Sequence, residues 1–428
     1  MKDIKWAVLG TGVIANEMAV ALKKNGRNIY AVGNRTYDKA VAFAEKYGIG
    51  KVYSDYNEMF TDPEVDVIYI TTPHNTHIQF MRRAIENGKH ILVEKSITLN
   101  SGELGDMLEL AEQHNVIIGE AMTIYHMPIY RKLKELLDSG ALGKVNLITM
   151  NFGSFKDYDM NNRFFNRNLA GGAMLDIGAY ALSFIRWFMD SKPDKLLSQV
   201  KPAPTGVDEQ AGLLLMNKEG QMATVMLSLH SKQPKRGMVS CENGYIEVME
   251  YPRAWEAKVT YTDTGKTETV AAGENADALA YELQDMESAI SGDGDMYLEY
   301  TKDVMDMMNN MIGPIGMLLA GMVIADVPLK TVFTKKRNYV SAVLRLVIYP
   351  IFILILMKVI YTFAGLNDSK QILLTVYIAS ITPACATVTS MAQLYDKDAA
   401  YASSLYVLTT LLSIVTMPVM VGMYEMFV

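Results

Sequence analysis

Residues 4–15 narrow most sharply what this chain can fold into. A short apolar run over residues 4–9 is followed by Gly10, Gly12 and Ala15 in the spacing G-x-G-x-x-A, and residues 16–24 then read as a helix. A strand feeding such a turn into a helix is the start of a dinucleotide-binding unit. Gly10 permits the tight turn, Gly12 lets a pyrophosphate approach the backbone, and Ala15 allows close packing of helix on strand. The helix start adds free N–H groups and a partial positive charge.

The next 100 residues repeat the alternation. Residues 28–32, 66–72, 90–94 and 116–119 read as strands, and residues 38–47, 78–87 and 101–114 as helices. Strands alternating with helices predict a parallel, doubly wound sheet, with the ligand beyond the carboxyl ends of the strands. His77 and Lys95 fall at such ends. A NAD site would place an acid after the second strand to bond the ribose hydroxyls. This chain has Asn34 and Arg35 there, and Arg35 suits a 2′-phosphate, so NADP is the expected cofactor and NAD the alternative.

From about residue 145 the pattern changes to successive strands with turns at Gly220, Asn243-Gly244 and Gly265, interrupted by helices over residues 129–139, 176–189 and 275–291. This predicts an α+β domain with a large, mainly antiparallel sheet. Its open face is an expected surface for homo-oligomers. Lys95, at a strand end, can hold a substrate oxygen and depress the pKa of a neighbouring acid. Asp176 and Tyr180 lie four apart, on one face of a helix. A nearby ammonium favours the phenolate, which makes Tyr180 a candidate proton donor or acceptor for a carbonyl/alcohol pair. Taken singly, Asp176 also reads as a helix cap, Tyr180 as core, and Glu94 with Lys95 as a surface pair.

Composition excludes other classes. A net charge of −7 and a pI near 5.5, with no basic stripe, argue against nucleic acid as a partner. Cys241 and Cys385 are too few and too far apart for a disulfide framework, and no metal site is expected. The first strand follows Met1 almost directly, so no leader is expected and the front of the chain is expected in the cytoplasm.

With these residues in place, residues 1–308 resemble the Gfo/Idh/MocA family of NAD(P)-dependent oxidoreductases, in its dihydrodiol and xylose dehydrogenase branch. The matching positions are Gly10, Thr11, Gly12, Val13, Ile14 and Ala15, Arg35, Thr72, Pro73, His74 and His77, Gly88 to His90 with Glu94 and Lys95, Glu120 to Met122, and Gly171-Gly172 through Asp176 to Tyr180. The resemblance implies a catalytic pair of Lys95 and Tyr180 oriented by Asp176. It implies a cofactor held by the glycine turn, Arg35, the loop of residues 72–77, Glu94 and Lys95. The implied substrate is a small carbohydrate or diol. Ser96 stands where the family has proline, and the family's closing strand is expected to be missing.

Charge thins sharply after about Asn309, and four apolar segments follow, over residues 311–327, 339–363, 371–394 and 399–428. The second and fourth are long enough to cross about 30 Å of hydrocarbon. The third is broken by Thr382, Pro383 and Ala384, as transporters break helices at a midplane site. The tail resembles the C-terminal part of the auxin efflux carrier family through Gly313 to Gly321, Arg345 with Pro350, and Pro383. The expected domains are therefore a Rossmann domain over 1–122, an α+β domain over 123–308, and an all-α transmembrane tail over 309–428, multi-pass in a membrane if genuine. Lys330, Lys335, Lys336 and Arg337 assign one tail loop to the cytoplasm. With residues 311–327 spanning, that would put residues 1–308 outside, away from the cofactor. A join of two protein fragments near Met308 accounts for this conflict, and membrane transport is the alternative function.

Overall fold

The computed structural model describes residues 4–310, 329–364, 369–385, 387–394 and 397–427. Contacts divide the chain into two units, Met1–Met311 and Ile312–Val428. The expected segment 311–327, its Gly313 to Gly321 motif and the place of a closing strand after residue 310 lie outside the described residues.

The first unit opens with β1 (Trp6–Leu9), α1 (Val13–Lys24), β2 (Ala31–Gly33), α2 (Tyr37–Tyr47), β3 (Lys51–Val52), α3 (Asn57–Thr61), β4 (Val67–Ile70), α4 (His77–Glu86), β5 (His90–Glu94), α5 (Ser101–His114) and β6 (Ile118–Ala121). The six strands form one parallel sheet in the order β3-β2-β1-β4-β5-β6. β1 and β4 are buried on both faces, which is why they read as unbroken apolar runs. Period-two alternation then sorts them. Ala7, Leu9, Ile68, Ile70, Ile91 and Val93 pack with Met81, Leu104 and Met107 of α4 and α5. Trp6, Val8, Val67, Tyr69 and Leu92 pack with Met18, Leu22 and Phe43 of α1 and α2.

The chain continues through α6 (Thr123–His126), α7 (Pro128–Asp138), β7 (Val145–Gly153), α8 (Ala179–Phe188), β8 (Lys195–Pro202), β9 (Asp208–Met216), β10 (Met222–Ser228), β11 (Arg236–Cys241), β12 (Gly244–Met249), β13 (Glu256–Tyr261), β14 (Thr267–Ala271), α9 (Ala278–Ile290) and α10 (Leu298–Asn310). The second sheet runs β14-β13-β12-β11-β7-β10-β9-β8. All its pairs are antiparallel except β7 with β10, which are parallel. The expected turn at Asn243-Gly244 joins β11 to β12, while β8 and β14 escaped the sequence reading. One face packs on helices: a Cβ at Gly237 would meet Phe184 of α8 at 2.6 Å. The other face exposes Leu197, Met226 and Met249.

The last two helices of this unit return to the first sheet. Leu283 and Met286 of α9 join the cluster under Trp6 and Tyr69, and Met305 of α10 joins the opposite one.

In the second unit, the stretches Lys336–Thr362 and Ala399–Phe427 are helices long and apolar enough to cross a membrane, with mean hydropathy 2.5 and 1.9. Ser369–Ser380 and Thr387–Leu394 are separate helices, interrupted at the Pro383 stretch as expected. Leu354, Met357, Tyr377, Met420 and Tyr424 pack together, while Phe352, Ile355, Ile414 and Val415 face outward. A third stretch, Arg167–Phe188, passes the same length and hydropathy measure. It ends in α8, which is buried throughout after Tyr180, so its apolarity serves the core of the first unit.

Candidate active site

The glycine turn sits where β1 meets α1. Gly10 has φ +109°, and a Cβ there would lie 2.5 Å from Thr71 Oγ1, so the turn closes on the end of β4 only with glycine. An added Cβ at Gly12 would meet nothing within 4 Å, leaving open space in front of the backbone. Ala15 is fully buried against the sheet. No side chain caps α1 and no acid stands in its first turn, so the N–H groups around Val13 and Ile14 remain available to an anion. Thr11 and Ile14 are half-buried beside them. This open, uncapped cradle fits the pyrophosphate of a dinucleotide. Gly10 N–H donates to Gly33 O at 2.8 Å, which draws the end of β2 to the turn. Arg35 follows, exposed and without an ion pair among the described residues, where it can meet a 2′-phosphate.

Residues 72–77 form the next rim. Thr76 Oγ1 donates to Pro73 O at 2.7 Å and lies 2.8 Å from Thr72 Oγ1, from which it can accept, folding the loop on itself. His74 is half-buried, and its pKa is pushed down to about 3 by burial and then by the Lys95 charge, so it is neutral at physiological pH. His77, expected at the ligand end of its strand, instead lies wholly beneath the loop. Its Nε2 is 2.8 Å from Thr72 O and its Nδ1 3.0 Å from Ser96 O. The ring therefore ties the loop after β4 to the turn after β5.

That turn carries Glu94 and Lys95. The Tyr69 hydroxyl donates to Glu94, whose carboxyl is pushed up by burial. The Lys95–Ser96 peptide is cis, where Ser96 stands in place of the family's proline. Lys95 Nζ donates to Asp176 O at 2.5 Å and to Asp176 Oδ1 at 3.1 Å, and lies 4.7 Å from the centroid of the Tyr180 ring. The three residues thus meet, although their helix is less regular than its spacing predicts. Met174–Gly178 is a π-helical turn, and α8 begins only at Ala179. A wider turn still returns Tyr180 to the side of Asp176.

Charge in this cluster follows from partners. Burial opposes ionisation of Lys95, but Tyr180, Asp176 and Glu94 outweigh it and hold its pKa above the usual value. Burial likewise opposes ionisation of Asp176, and Lys95 and Arg163 overcome it, holding that carboxyl low. Tyr180 does not follow the expectation of a favoured phenolate. Burial exceeds the help from Lys95, and its pKa is pushed up to about 12.

Two acids, the buried Glu120 and the half-buried Asp208, support the cluster. Glu120 accepts from Ile97 N–H and from Thr301 Oγ1, each at 3.0 Å, bracing the turn that follows Lys95. Asp208 accepts from Met174 N–H at 2.6 Å and starts the helical turn bearing Asp176. Gly172 leaves it room, since a Cβ there would lie 2.1 Å from Asp208 Oδ1. Burial raises both carboxyls, each to about 7. Asp208 went unnoticed in the sequence because no local pattern links it to residues 34 positions away.

Known proteins resemble this chain in sequence and fold. The pattern of the oxidoreductase family with an NAD-binding Rossmann fold matches residues 4–122, and the Gfo/Idh/MocA C-terminal domain matches residues 130–247. A membrane transport protein pattern matches residues 289–421. Trans-1,2-dihydrobenzene-1,2-diol dehydrogenase of Xenopus tropicalis is 30% identical over 248 residues, 57% of this chain and 74% of that one. A levoglucosan dehydrogenase solved with NADH and levoglucosan shares the fold at TM-score 0.65 and 18% identity, over 72% of this chain and 96% of its own. The 3-ketoreductase KijD10 of Actinomadura kijaniata, solved with NADP and TDP-benzene, does so at 0.63 and 20%, over 72% and 95%. By the paired matches to its front 247 residues, the chain belongs to the Gfo/Idh/MocA family of NAD(P)-dependent oxidoreductases.

Proposed function

We propose that residues 1–308 interconvert a carbonyl and an alcohol on a small sugar or diol, with NADP preferred, Lys95 and Tyr180 as the catalytic pair and Asp176 orienting Lys95. The observation that carries this reading is the single ammonium shared between Asp176 and the face of Tyr180 at the carboxyl end of β5. The names of the diol dehydrogenase relative and the levoglucosan dehydrogenase fold neighbour support the substrate class.

A bound nicotinamide supplies the two-electron exchange with the substrate carbon. The glycine turn and α1 would hold its pyrophosphate, Arg35 its 2′-phosphate, and Thr72, Pro73 and His74 would help hold the cofactor. Lys95 donates a hydrogen bond to the substrate oxygen and offsets negative charge on it. Tyr180, protonated near neutrality, gives its proton to that oxygen during reduction and takes one back during oxidation. Incubating the full chain in detergent with NADP and a panel of sugars and diols tests this. Nicotinamide reduction with at least one polyol, abolished in Lys95→Met, is the expected result, and turnover surviving in that variant removes the assignment.

The exposed apolar residues Leu197, Met226 and Met249 support a homo-oligomer built on the open sheet face. For the tail, the two long apolar helices support membrane insertion. A transport role for residues 309–428 is the second reading, favoured by the break at Pro383. Uptake of a weak organic acid into vesicles carrying the full chain tests it, and its absence counts against it.

A further inference from the structure

The cations around Asp176 outnumber its single carboxylate. Arg163 Nη2 lies 3.8 Å from Asp176 Oδ1. The Arg163 guanidinium is 4.4 Å from the Phe164 ring centroid, and the Lys156 ammonium is 4.2 Å from the same centroid. Lys235 lies 5.3 Å from the ring of Phe152, which is itself 6.1 Å from Tyr180. Lys156 and Lys235 have no acidic partner among the described residues, and Lys156 is half-buried on a segment pinned by its own N–H to Leu229 O at 2.8 Å. Burial lowers the Lys156 pKa, and Arg163, Lys95 and Lys235 push the same way against Asp176 alone. Glu94 serves as a counter-charge to Lys95.

A half-buried cation without an acidic partner, as Lys156 is, is costly unless an anion completes it, and the exposed Arg163 adds a second positive charge near it. The dinucleotide phosphates have their own cradle at α1 and Arg35, whereas Lys156 and Arg163 lie on segments of the second domain beside Asp176. The Phe164 ring gathers both cations, at 4.2 and 4.4 Å from its centroid. We infer that the substrate of this site carries an anionic group, a carboxylate or a phosphate, bound by Lys156 and Arg163 while its hydroxyl or carbonyl lies at Lys95 and Tyr180. The inference rests on the catalytic reading above and narrows its substrate to acidic sugars and hydroxy compounds.

The full chain in detergent, with NADPH bound, is titrated by calorimetry with D-glucuronate, D-glucose 6-phosphate and D-glucose. At least one acidic sugar binds about tenfold or more tightly than glucose, as expected for charge-assisted contacts. The arm that binds distinguishes carboxylate from phosphate. In the double variant Lys156→Gln with Arg163→Gln, that ratio falls toward one. Glucose binding as tightly as both acids, failure of both acids to bind, or a ratio unchanged in the double variant each overturns the inference. Tyr180→Phe is titrated and assayed in parallel. Turnover surviving there defeats the catalytic assignment, while the binding ratio separately decides the anionic subsite.

Discussion

The Lys95 ammonium lies 4.7 Å from the centroid of the Tyr180 ring while its hydrogens reach the carbonyl and carboxylate of Asp176. Lys95 therefore acts on the phenol through space, and Asp176 sets where the ammonium can stand. Tyr180→Phe keeps the ring and the cation contact but removes the transferable proton. It is expected to lower kcat by about 10²- to 10⁴-fold, the usual contribution of a positioned acid or base. NADPH affinity, measured by calorimetry, should stay near that of the unmodified chain.

The pKa of Tyr180, near 12, makes the two directions respond differently to pH. Below that value the phenol is protonated, so reduction finds its acid ready and is insensitive to this group. Oxidation needs the phenolate, whose fraction rises about tenfold per pH unit below the pKa. Initial rates of alcohol oxidation at limiting substrate should therefore climb from pH 7 to 10, while reduction does not gain. A flat oxidation profile would remove Tyr180 as the base.

Arg35 stands exposed at the end of β2, and Gly10 N–H donates to the preceding Gly33 O. Arg35→Ala should weaken NADPH binding by about 1.5–3 kcal/mol, the range for a hydrogen bond to a charged group, and leave NADH nearly unaffected. Paired titrations with the two cofactors measure this. Equal losses for both would assign Arg35 to general charge.

Arg186 of α8 donates from Nε to Asp303 Oδ2 of α10 at 2.7 Å, and both side chains are buried. Removing one partner strands a charge, so Asp303→Ala should destabilise the first unit by about 3–5 kcal/mol. Lys192, 3.3 Å from Asp303, loses the same partner but keeps Asp306 at 3.2 Å and is largely exposed, so the loss falls mainly on Arg186. Thermal unfolding followed by tryptophan fluorescence reads the change. A negligible shift would mean that α10 is dispensable to the oxidoreductase, and with it the Thr301 brace on Glu120.

The tail helices Lys336–Thr362 and Ala399–Phe427 predict that the intact chain resists extraction from membranes by alkaline carbonate and dissolves only in detergent. Release of the whole chain by carbonate would defeat the membrane reading. A continuous sequencing read across the codons for Tyr297 and Gly321 tests the proposed join of two fragments. An interrupted frame separates the two activities, and an unbroken one makes the fusion real.

The residues themselves determined the architecture wherever a pattern is local. The glycine turn, the buried strands Val67–Ile70 and His90–Glu94, and helix Ser101–His114 were readable because strand alternation, helical period and turn chemistry act within a few residues. The edge strands β8 and β14 were not, because half-exposed strands carry little apolar alternation. Lys95 and Tyr180 could be nominated from a strand end and a helix face. What only the tertiary structure decided was their charge. Burial, opposed by Lys95, sets Tyr180 at about 12, and His77 turns inward with its ring nitrogens against the carbonyls of Thr72 and Ser96. Asp208 and Glu120 brace the site from distant strands, and Lys156 and Arg163 converge on Asp176. These are interactions through space across a low-dielectric interior, and no spacing along the chain encodes how far apart or how dry two such groups will be.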